Sequence, residues 1–265
     1  MSSEEATPVL TTTTDDRGIC TVQLNRPDAL NALNGPLMEA LGTAFTQLRY
    51  DKGVRVVILT GAGGRAFCAG ADLKERRGMS EADVGRRIDE YGVVFNRIAA
   101  LPKPTICAIN GYAFGGGLEL AMTCDLRVMS EATKIGLTEL KLGIIPGAGG
   151  TQRLSRLVGV ARAKELIFTG ARIDAARAAE IGLINASAPA AALMDRAREY
   201  AEAMLSSAPI ALAQAKRAID TGSEIDLQAG LVLESTAYAV TLPTEDRLEG
   251  LAAFKEKREP RFKGN

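Results

Sequence analysis

Two glutamates next to glycine-rich segments are the side chains of this sequence best suited to acid/base chemistry. Glu119 comes two residues after the triplet Gly115-Gly116-Gly117, and Glu139 lies shortly before the glycine-rich residues 143–150. The sequence contains no histidine, which excludes Ser-His-Asp and Cys-His catalysis and histidine-ligated metal sites. Acid/base chemistry near neutral pH then falls to other titratable groups, and carboxyl groups whose pKa is raised by burial are the leading candidates.

The same glycine-rich segments could present backbone N–H groups to a ligand. Three consecutive glycines indicate unusual backbone dihedrals or a close approach to another group. The helix predicted to begin at Leu118 would add unpaired N–H groups and a positive dipole end, which together suit a developing oxyanion. Residues 66–74 are rich in small side chains and either expose further N–H groups or form an ordinary tight turn; their spacing fits both interpretations.

Each glutamate also has a purely structural interpretation. Glu119 could complement the dipole of its own helix, although its neighbours Leu118 and Leu120 are apolar. Glu139 could form a salt bridge within a helix, with Lys141 nearby. Catalysis requires these segments to converge, and loops at the carboxyl ends of parallel strands do gather on one side of a sheet. We therefore predict carboxylate acid/base chemistry beside a backbone oxyanion hole.

The pattern of elements that must position these residues predicts the α/β class. Strands alternate with helices as far as about residue 192, which favours a largely parallel sheet, and the pattern is helical only thereafter. The predicted strands are residues 9–14 and 19–24 as a hairpin, 54–60, 104–110 and 126–129, and the predicted helical segments are residues 36–50, 80–100, 118–123, 151–169, 193–206, 210–221, 227–240 and 245–257.

The composition is that of an ordinary globular protein. The chain has 265 residues, of which 46% are hydrophobic and 24% charged, which suits one large domain, alone or with a small appendage. Because 32 basic residues balance 32 acidic ones, we predict no nucleic-acid partner and no membrane partner. The four scattered cysteines have no metal-ligand spacing and are expected to be reduced core residues. Residues 1–16 lack a signal-peptide pattern, and no apolar run approaches the ~20 residues of a membrane span, so we expect a cytoplasmic protein.

Several stretches of the sequence closely resemble the enoyl-CoA hydratase (crotonase) family. The resemblance extends from about residue 9 to the C-terminus, and residues 24–33, 67–74, 110–125 and 136–154 carry it. It implies an α/β crotonase-like spiral of ββα units in residues 1–195 and a C-terminal helical trimerisation region in residues 196–265. The implied assembly is a homotrimer, or a hexamer built as a dimer of trimers.

The resemblance also implies roles for individual residues. Glu119 and Glu139 match the two catalytic glutamates, and Ala71 and Gly116 match the residues whose N–H groups form the oxyanion hole. The implied substrate is an α,β-unsaturated acyl-CoA, with no metal and no cofactor beyond the coenzyme A that the substrate carries. Asp28 departs from the pattern, because several members carry a lysine near CoA there. The implied substrate contacts are Ala29, Ala69, Asp72, Leu73 and Lys74, together with Phe254 and Lys257 from a neighbouring subunit.

Within the family, the sequence looks most similar to the methylglutaconyl-CoA hydratases. This implies reversible hydration of 3-methylglutaconyl-CoA to 3-hydroxy-3-methylglutaryl-CoA. The second carboxylate of such a substrate would require a cation, for which Arg76 and Arg77 are candidates. A general short-chain enoyl-CoA hydratase and an enoyl-CoA isomerase are alternatives on the same fold. An RNA-binding protein is the alternative from another class, but the helix predicted at residues 36–50 contains no lysine to contact phosphates.

Overall fold

A mostly parallel six-stranded sheet forms the centre of the protein. The computed structural model describes residues 7–265. The strands of the protein are β1 (Leu10–Thr14), β2 (Ile19–Leu24), β3 (Val56–Gly61), β4 (Ala66–Cys68), β5 (Thr105–Ile109), β6 (Tyr112–Phe114), β7 (Leu126–Ser130), β8 (Lys134–Gly136), β9 (Ile173–Asp174) and β10 (Ala186–Ala188). In the central sheet, β1 and β2 form the predicted antiparallel hairpin, and the following neighbours pair in parallel in the order β1-β2-β3-β5-β7-β10.

A second, four-stranded sheet has the order β4-β6-β8-β9, and it was not predicted from the sequence. The structure places β4 within the small-residue stretch 66–74 and β6 directly before the triplet Gly115-Gly116-Gly117, and neither strand is among the predicted ones. These strands have three residues each, too few to show an alternating pattern. They form because their backbones pair with each other across the fold, which is a tertiary effect.

Most predicted helices are present, and their N-terminal capping residues explain where two of them begin. Asn34 accepts a hydrogen bond from the N–H of Leu37, and Ser80 forms a capping box with Asp83. The helices are α1 (Gly35–Tyr50), α2 (Leu73–Arg76), α3 (Glu81–Ala99), α4 (Gly116–Ala121), α5 (Gly150–Val158), α6 (Val160–Thr169), α7 (Ala175–Glu180), α8 (Leu193–Leu205), α9 (Pro209–Gly222), α10 (Leu227–Thr241) and α11 (Glu245–Glu256).

The two faces of the central sheet are buried against different helices. In β3, Val57 and Leu59 join the large core that also contains side chains of α1 and α3. Ile58, which points the opposite way, packs in a smaller core with Ala197 and Ala201 of α8. Burial on both faces explains why β3 is a continuous apolar run rather than an alternating one.

The C-terminal helices α9, α10 and α11 carry many exposed apolar side chains. Large examples are Ile219, Leu227, Leu231, Val232, Tyr238, Leu248, Leu251 and Phe254. The boundary predicted between residues 195 and 196 falls within α8, whose C-terminal half packs against the sheet. The division into a core and an oligomerisation region stays a prediction.

No helix within residues 7–265 is both long and apolar enough to cross a bilayer. The predicted absence of a targeting signal concerned residues 1–16, of which residues 1–6 lie outside the described part of the chain. The cytoplasmic location stays a prediction.

Candidate active site

The two glycine-rich segments and the small-residue stretch 66–74 meet around one cavity of about 780 Å³. Strands β4, β6 and β8 run in parallel, so the chain segments that leave them lie on the same side of the second sheet. Glu119 and Glu139 both line the cavity, as do Ala71 and Gly116. The predicted convergence of these segments is therefore confirmed.

Glu119 lies in the first turn of α4, and its carboxylate is anchored by a different helix. Its Oε1 accepts hydrogen bonds from the N–H of Ala148 at 2.8 Å and of Gly150 at 2.7 Å, where α5 begins. The residue is 3% exposed. Burial raises the pKa of Glu119 above its usual value, while the two N–H donors and the charge of Arg153 oppose that rise.

Glu139 begins a short 3-10 turn (Glu139–Leu142), and its carboxyl group has no hydrogen-bond partner within the described chain. Burial is the main reason that the pKa of Glu139 rises to about 7, and the negative charge of Glu119 adds to the rise. The N–H groups of Thr138 and Glu139 itself oppose it without forming a hydrogen bond to the carboxylate. A carboxyl group with this pKa can both give and take a proton near neutral pH.

The N–H groups of Ala71 and Gly116 are the two candidate donors for an oxyanion hole. Neither donates a hydrogen bond to another residue of the segment 7–265. Gly116 is the first residue of α4, so its N–H has no partner within the helix. The two residues are close: a methyl group added to Gly116 would lie 3.7 Å from the nitrogen of Ala71.

Glycine is required beside the two carboxylates for steric reasons. Gly115 has φ +52°, and a Cβ there would lie 3.1 Å from Oε1 of Glu139. A Cβ at Gly150 would lie 2.8 Å from Oε1 of Glu119. These glycines allow the backbone to approach both acids closely.

Only some of the predicted substrate contacts line the cavity. Ala69, Leu73 and Arg76 do so. The carboxylate of Asp72 instead caps α2 and pairs with Arg26. The other predicted contacts, Ala29, Lys74, Arg77, Phe254 and Lys257, are not among the lining residues. Phe254 is 87% exposed, and its predicted contact with a neighbouring subunit stays a prediction.

Several lining residues were missed from the sequence. The guanidinium of Arg172 lies 4.5 Å from the ring centroid of Phe114, and both residues line the cavity. No local pattern marks Arg172, because β9 brings it to the site from a distant part of the chain. The apolar part of the lining includes Ile88, Leu142, Ile144, Ile145 and Pro146.

Two arginines among the lining residues have no acidic partner. In residues 7–265, neither Arg76 nor Arg172 forms an ion pair or a side-chain hydrogen bond; Arg172 only stacks on Phe114. An unpaired cation at an apolar cavity attracts an anionic group of a ligand.

Comparison with known proteins identifies relatives over nearly the whole chain. The profile of the family "Enoyl-CoA hydratase/isomerase" matches residues 14–265. The "Enoyl-CoA hydratase domain-containing protein 2, mitochondrial" of Bos taurus is 50% identical, over 94% of this chain and 86% of that protein. The "Methylglutaconyl-CoA hydratase, mitochondrial" of Homo sapiens is 47% identical, over 100% of this chain and 79% of that protein. The crystal structure of an enoyl-CoA hydratase from Bacillus anthracis superimposes with a TM-score of 0.95, at 49% identity, over 97% of this chain and 100% of that one.

Proposed function

Because the chain belongs to the enoyl-CoA hydratase/isomerase family, we propose that it adds water reversibly across the α,β double bond of an acyl-CoA. One observation carries the proposal: Glu119 and Glu139 line the same cavity as Ala71 and Gly116, whose N–H groups have no hydrogen-bond acceptor within residues 7–265. An isomerase commonly needs one carboxylate, so the presence of two favours hydration.

The backbone N–H groups are proposed to stabilise the charge that forms when water attacks. Attack at the β-carbon moves negative charge onto the thioester oxygen. The N–H groups of Ala71 and Gly116 would donate hydrogen bonds to that oxygen, and the loss of one such donor typically costs about 10²–10³ in rate.

The two carboxyl groups are proposed to divide the proton transfers. Glu119 would take a proton from water while the water oxygen bonds to the β-carbon, and Glu139 would give its proton to the α-carbon. The anchored carboxylate of Glu119 suits the positioning of water, and the pKa of Glu139, about 7, suits a proton donor. The proton taken by Glu119 must then return to Glu139, so the pair would titrate as a coupled unit. No metal and no separate cofactor is needed for these steps.

We further propose that the acyl chain ends in a second carboxylate, as in 3-methylglutaconyl-CoA. The human relative named methylglutaconyl-CoA hydratase supports this substrate. The unpaired guanidinium groups of Arg76 and Arg172 also support it, since either could bind a terminal carboxylate. Arg172 thereby joins Arg76 as a candidate cation, and Arg77 lies outside the cavity lining.

A plain short-chain enoyl-CoA is the competing substrate. Its support is the apolar lining from Ile88, Leu142, Ile144 and Ile145, together with the name of the Bos taurus relative. Such a chain would gain from apolar burial and leave both arginines unused.

A matched pair of substrates separates these possibilities. 3-Methylglutaconyl-CoA and 3-methylcrotonyl-CoA differ by a terminal carboxylate, and hydration of each is followed by loss of the enoyl-thioester absorbance. We expect R76Q or R172Q to reduce the preference for the dicarboxylic substrate about 10–100-fold. R162Q is the control, because Arg162 is an exposed residue of α6 outside the cavity.

The results distinguish the proposed hydratase activity from the proposed preference for a dicarboxylic substrate. If neither arginine affects the preference, the terminal carboxylate is abandoned and the hydratase proposal stands. If chromatography shows a shifted double bond rather than a hydroxyl product, the protein is an isomerase.

We propose that the protein assembles as a homotrimer, or as a dimer of trimers, through α9, α10 and α11. The exposed apolar side chains of these helices support an interface there. Light scattering is expected to give three or six times the 28.0 kDa chain mass. A monomer would contradict the proposal.

A further inference from the structure

The peptide groups on both sides of Ala71 are fixed by one neighbouring residue. The N–H of Leu33 donates to the carbonyl of Gly70 at 2.8 Å, and the carbonyl of Leu33 accepts from the N–H of Asp72 at 3.0 Å. The bonds alternate along the chain, so the N–H of Ala71 between them is left without a backbone acceptor. Its direction therefore depends on how firmly residues 70–72 are held against Leu33.

An ion pair holds Asp72 in this arrangement. Nη2 of Arg26 lies 3.0 Å from Oδ2 of Asp72, and the two side chains are 18% and 12% exposed. The other guanidinium nitrogen, Nη1, donates to the carbonyl of Ala32. Arg26 thus joins the residue after Ala71 to the residue before Leu33, which are the two ends of the hydrogen-bonded contact.

Asp72 also connects this contact to α2. Its Oδ1 accepts from the N–H of Lys74 at 3.1 Å and of Glu75 at 3.3 Å, so it is the N-cap of α2. Burial disfavours its charge, yet Arg26 and the two N–H donors lower the pKa of Asp72 below its usual value. Asp72 consequently stays ionised and paired throughout the neutral pH range.

The segment that carries Arg26 is itself rigid. Leu30 and Asn31 have left-handed φ values of 53° and 54°, which residues other than glycine rarely adopt. Asn31 is fully buried; its Oδ1 accepts from the N–H of Arg26 at 2.8 Å, and its Nδ2 donates to the carbonyls of Ala62 and Ala66. An unusual backbone held by buried hydrogen bonds indicates a segment whose geometry is over-determined.

We propose that Arg26 and Asp72 form a positioning pair that aims the N–H of Ala71 at the thioester oxygen. The inference rests on the proposed function, because it assigns a purpose to that N–H. Arg26 is not among the residues that line the cavity. It would act through Asp72, and its removal would misalign the donor without removing a substrate contact.

A second ion pair nearby supplies a matched control. Nη2 of Arg87 lies 3.4 Å from Oε1 of Glu75, and their side chains are 20% and 29% exposed. Like the pair of Arg26 and Asp72, this pair is mostly buried and involves a residue at α2. Glu75 additionally accepts from the N–H of Gly35. Neither side chain of this pair has a hydrogen bond to residues 70–72, and Arg87→Gln leaves the backbone bond from Glu75 to Asp72 in place, so loss of the pair should affect stability without turning the N–H of Ala71.

The test measures both turnover and the polarisation of a bound carbonyl. A chromophoric cinnamoyl-CoA absorbs at longer wavelength when hydrogen bonds polarise its thioester carbonyl, so the shift on binding reports the oxyanion hole directly. For R26Q we expect kcat to fall about 10–100-fold, part of the loss expected for a missing donor. We also expect KM to change less than about 3-fold and the absorbance shift to shrink, because only the polarising contact is weakened. R26K should restore part of both, because an ammonium keeps the charge but cannot span Asp72 and Ala32 together. R87Q should keep the wild-type kcat and absorbance shift.

Each outcome decides between positioning and general stability. A full absorbance shift in R26Q would overturn the proposal, as would an equal loss of the shift in R87Q. If R26Q does not fold, D72N carries the test, because its Oδ1 can still cap α2 while the ion pair is lost. A wild-type protein that neither hydrates any enoyl-CoA nor shifts the chromophore would instead refute the proposed function.

Discussion

The two catalytic candidates lie in one cavity but in opposite surroundings. Glu119 is held by two N–H groups at the beginning of α5, whereas both carboxyl oxygens of Glu139 are buried without a partner. Burial raises the pKa of both groups, but the N–H groups of Ala148 and Gly150 stabilise the charged form of Glu119, whereas the charge of Glu119 raises the pKa of Glu139 further. Burial and hydrogen bonding together can therefore assign two identical side chains to different proton transfers.

Replacement of each acid by its amide should have the largest effect. E139Q and E119Q are each expected to lower kcat by about 10²–10⁴, because general acid/base catalysis is lost. The amide of E119Q can still accept from Ala148 and Gly150, so its fold should be retained. Stopped-flow loss of the enoyl absorbance measures the rates. Equal wild-type activity in either variant would remove that residue from the mechanism.

A methyl group beside Glu119 should have the next largest effect. In G150A the added Cβ would lie 2.8 Å from both Oε1 of Glu119 and Cβ of Pro146, so we expect kcat to fall about 10²-fold through misplacement of the carboxylate. G92A in α3 is the control, since no atom lies within 4 Å of its added Cβ. It should keep full activity. An active G150A would show that the anchor of Glu119 is dispensable.

The pH dependence of hydration and dehydration should test the different roles of Glu119 and Glu139. Hydration needs protonated Glu139, so kcat is expected to fall about tenfold per pH unit above about 7, the pKa of Glu139. Dehydration needs the same single proton on the pair, carried by Glu119 while Glu139 is ionised, so its rate should fall over the same pH range as the hydration rate. Initial rates in both directions between pH 5 and 9 test this. A hydration rate that does not fall above about pH 7 would contradict the assignment of Glu139 as the proton donor.

The smallest expected effect is on the free energy of unfolding, which should fall with rising pH because the pKa of Glu139 is raised in the folded protein. The folded protein holds the Glu139 proton up to about pH 7, whereas the unfolded chain releases it near the ordinary value of 4.5. Stability from the protonated form is therefore present at pH 4.5 and lost as pH rises through 7. E139Q should abolish this loss and be more stable than wild type at pH 8, by about 1–2 kcal/mol because solvent screens this partly exposed residue. Chemical denaturation of both proteins at pH 5 and pH 8 measures the difference.

Much of the fold was predictable because its signals are local. The hairpin of β1 and β2, and helices such as α1 and α3, follow from β-rich runs, capping residues and apolar periodicity. The crotonase-like fold expected from the resemblance is confirmed by the Bacillus anthracis structure. The second sheet could not be predicted, because β4, β6 and β8 are too short to have a pattern of their own.

The site was predictable in part for the same physical reason. Glycines beside acids mark Glu119 and Glu139 within short stretches of sequence. Arg172 and the anchoring N–H groups of Ala148 and Gly150 have no such mark, since their partners are distant along the chain. Contacts made only by folding therefore account for the residues that were missed.

Because Glu119 is held by N–H groups at the start of α5, the positions of both carboxyl groups depend on residues 139–150. That stretch supplies one acid directly and fastens the other through the backbone of Ala148 and Gly150. A short insertion or deletion there would disturb both proton-transfer groups at once, although Glu119 itself lies on another helix. Substitutions in this single short segment could thus change the reaction at the double bond, while the N–H groups of Ala71 and Gly116 that bind the thioester oxygen are left unchanged.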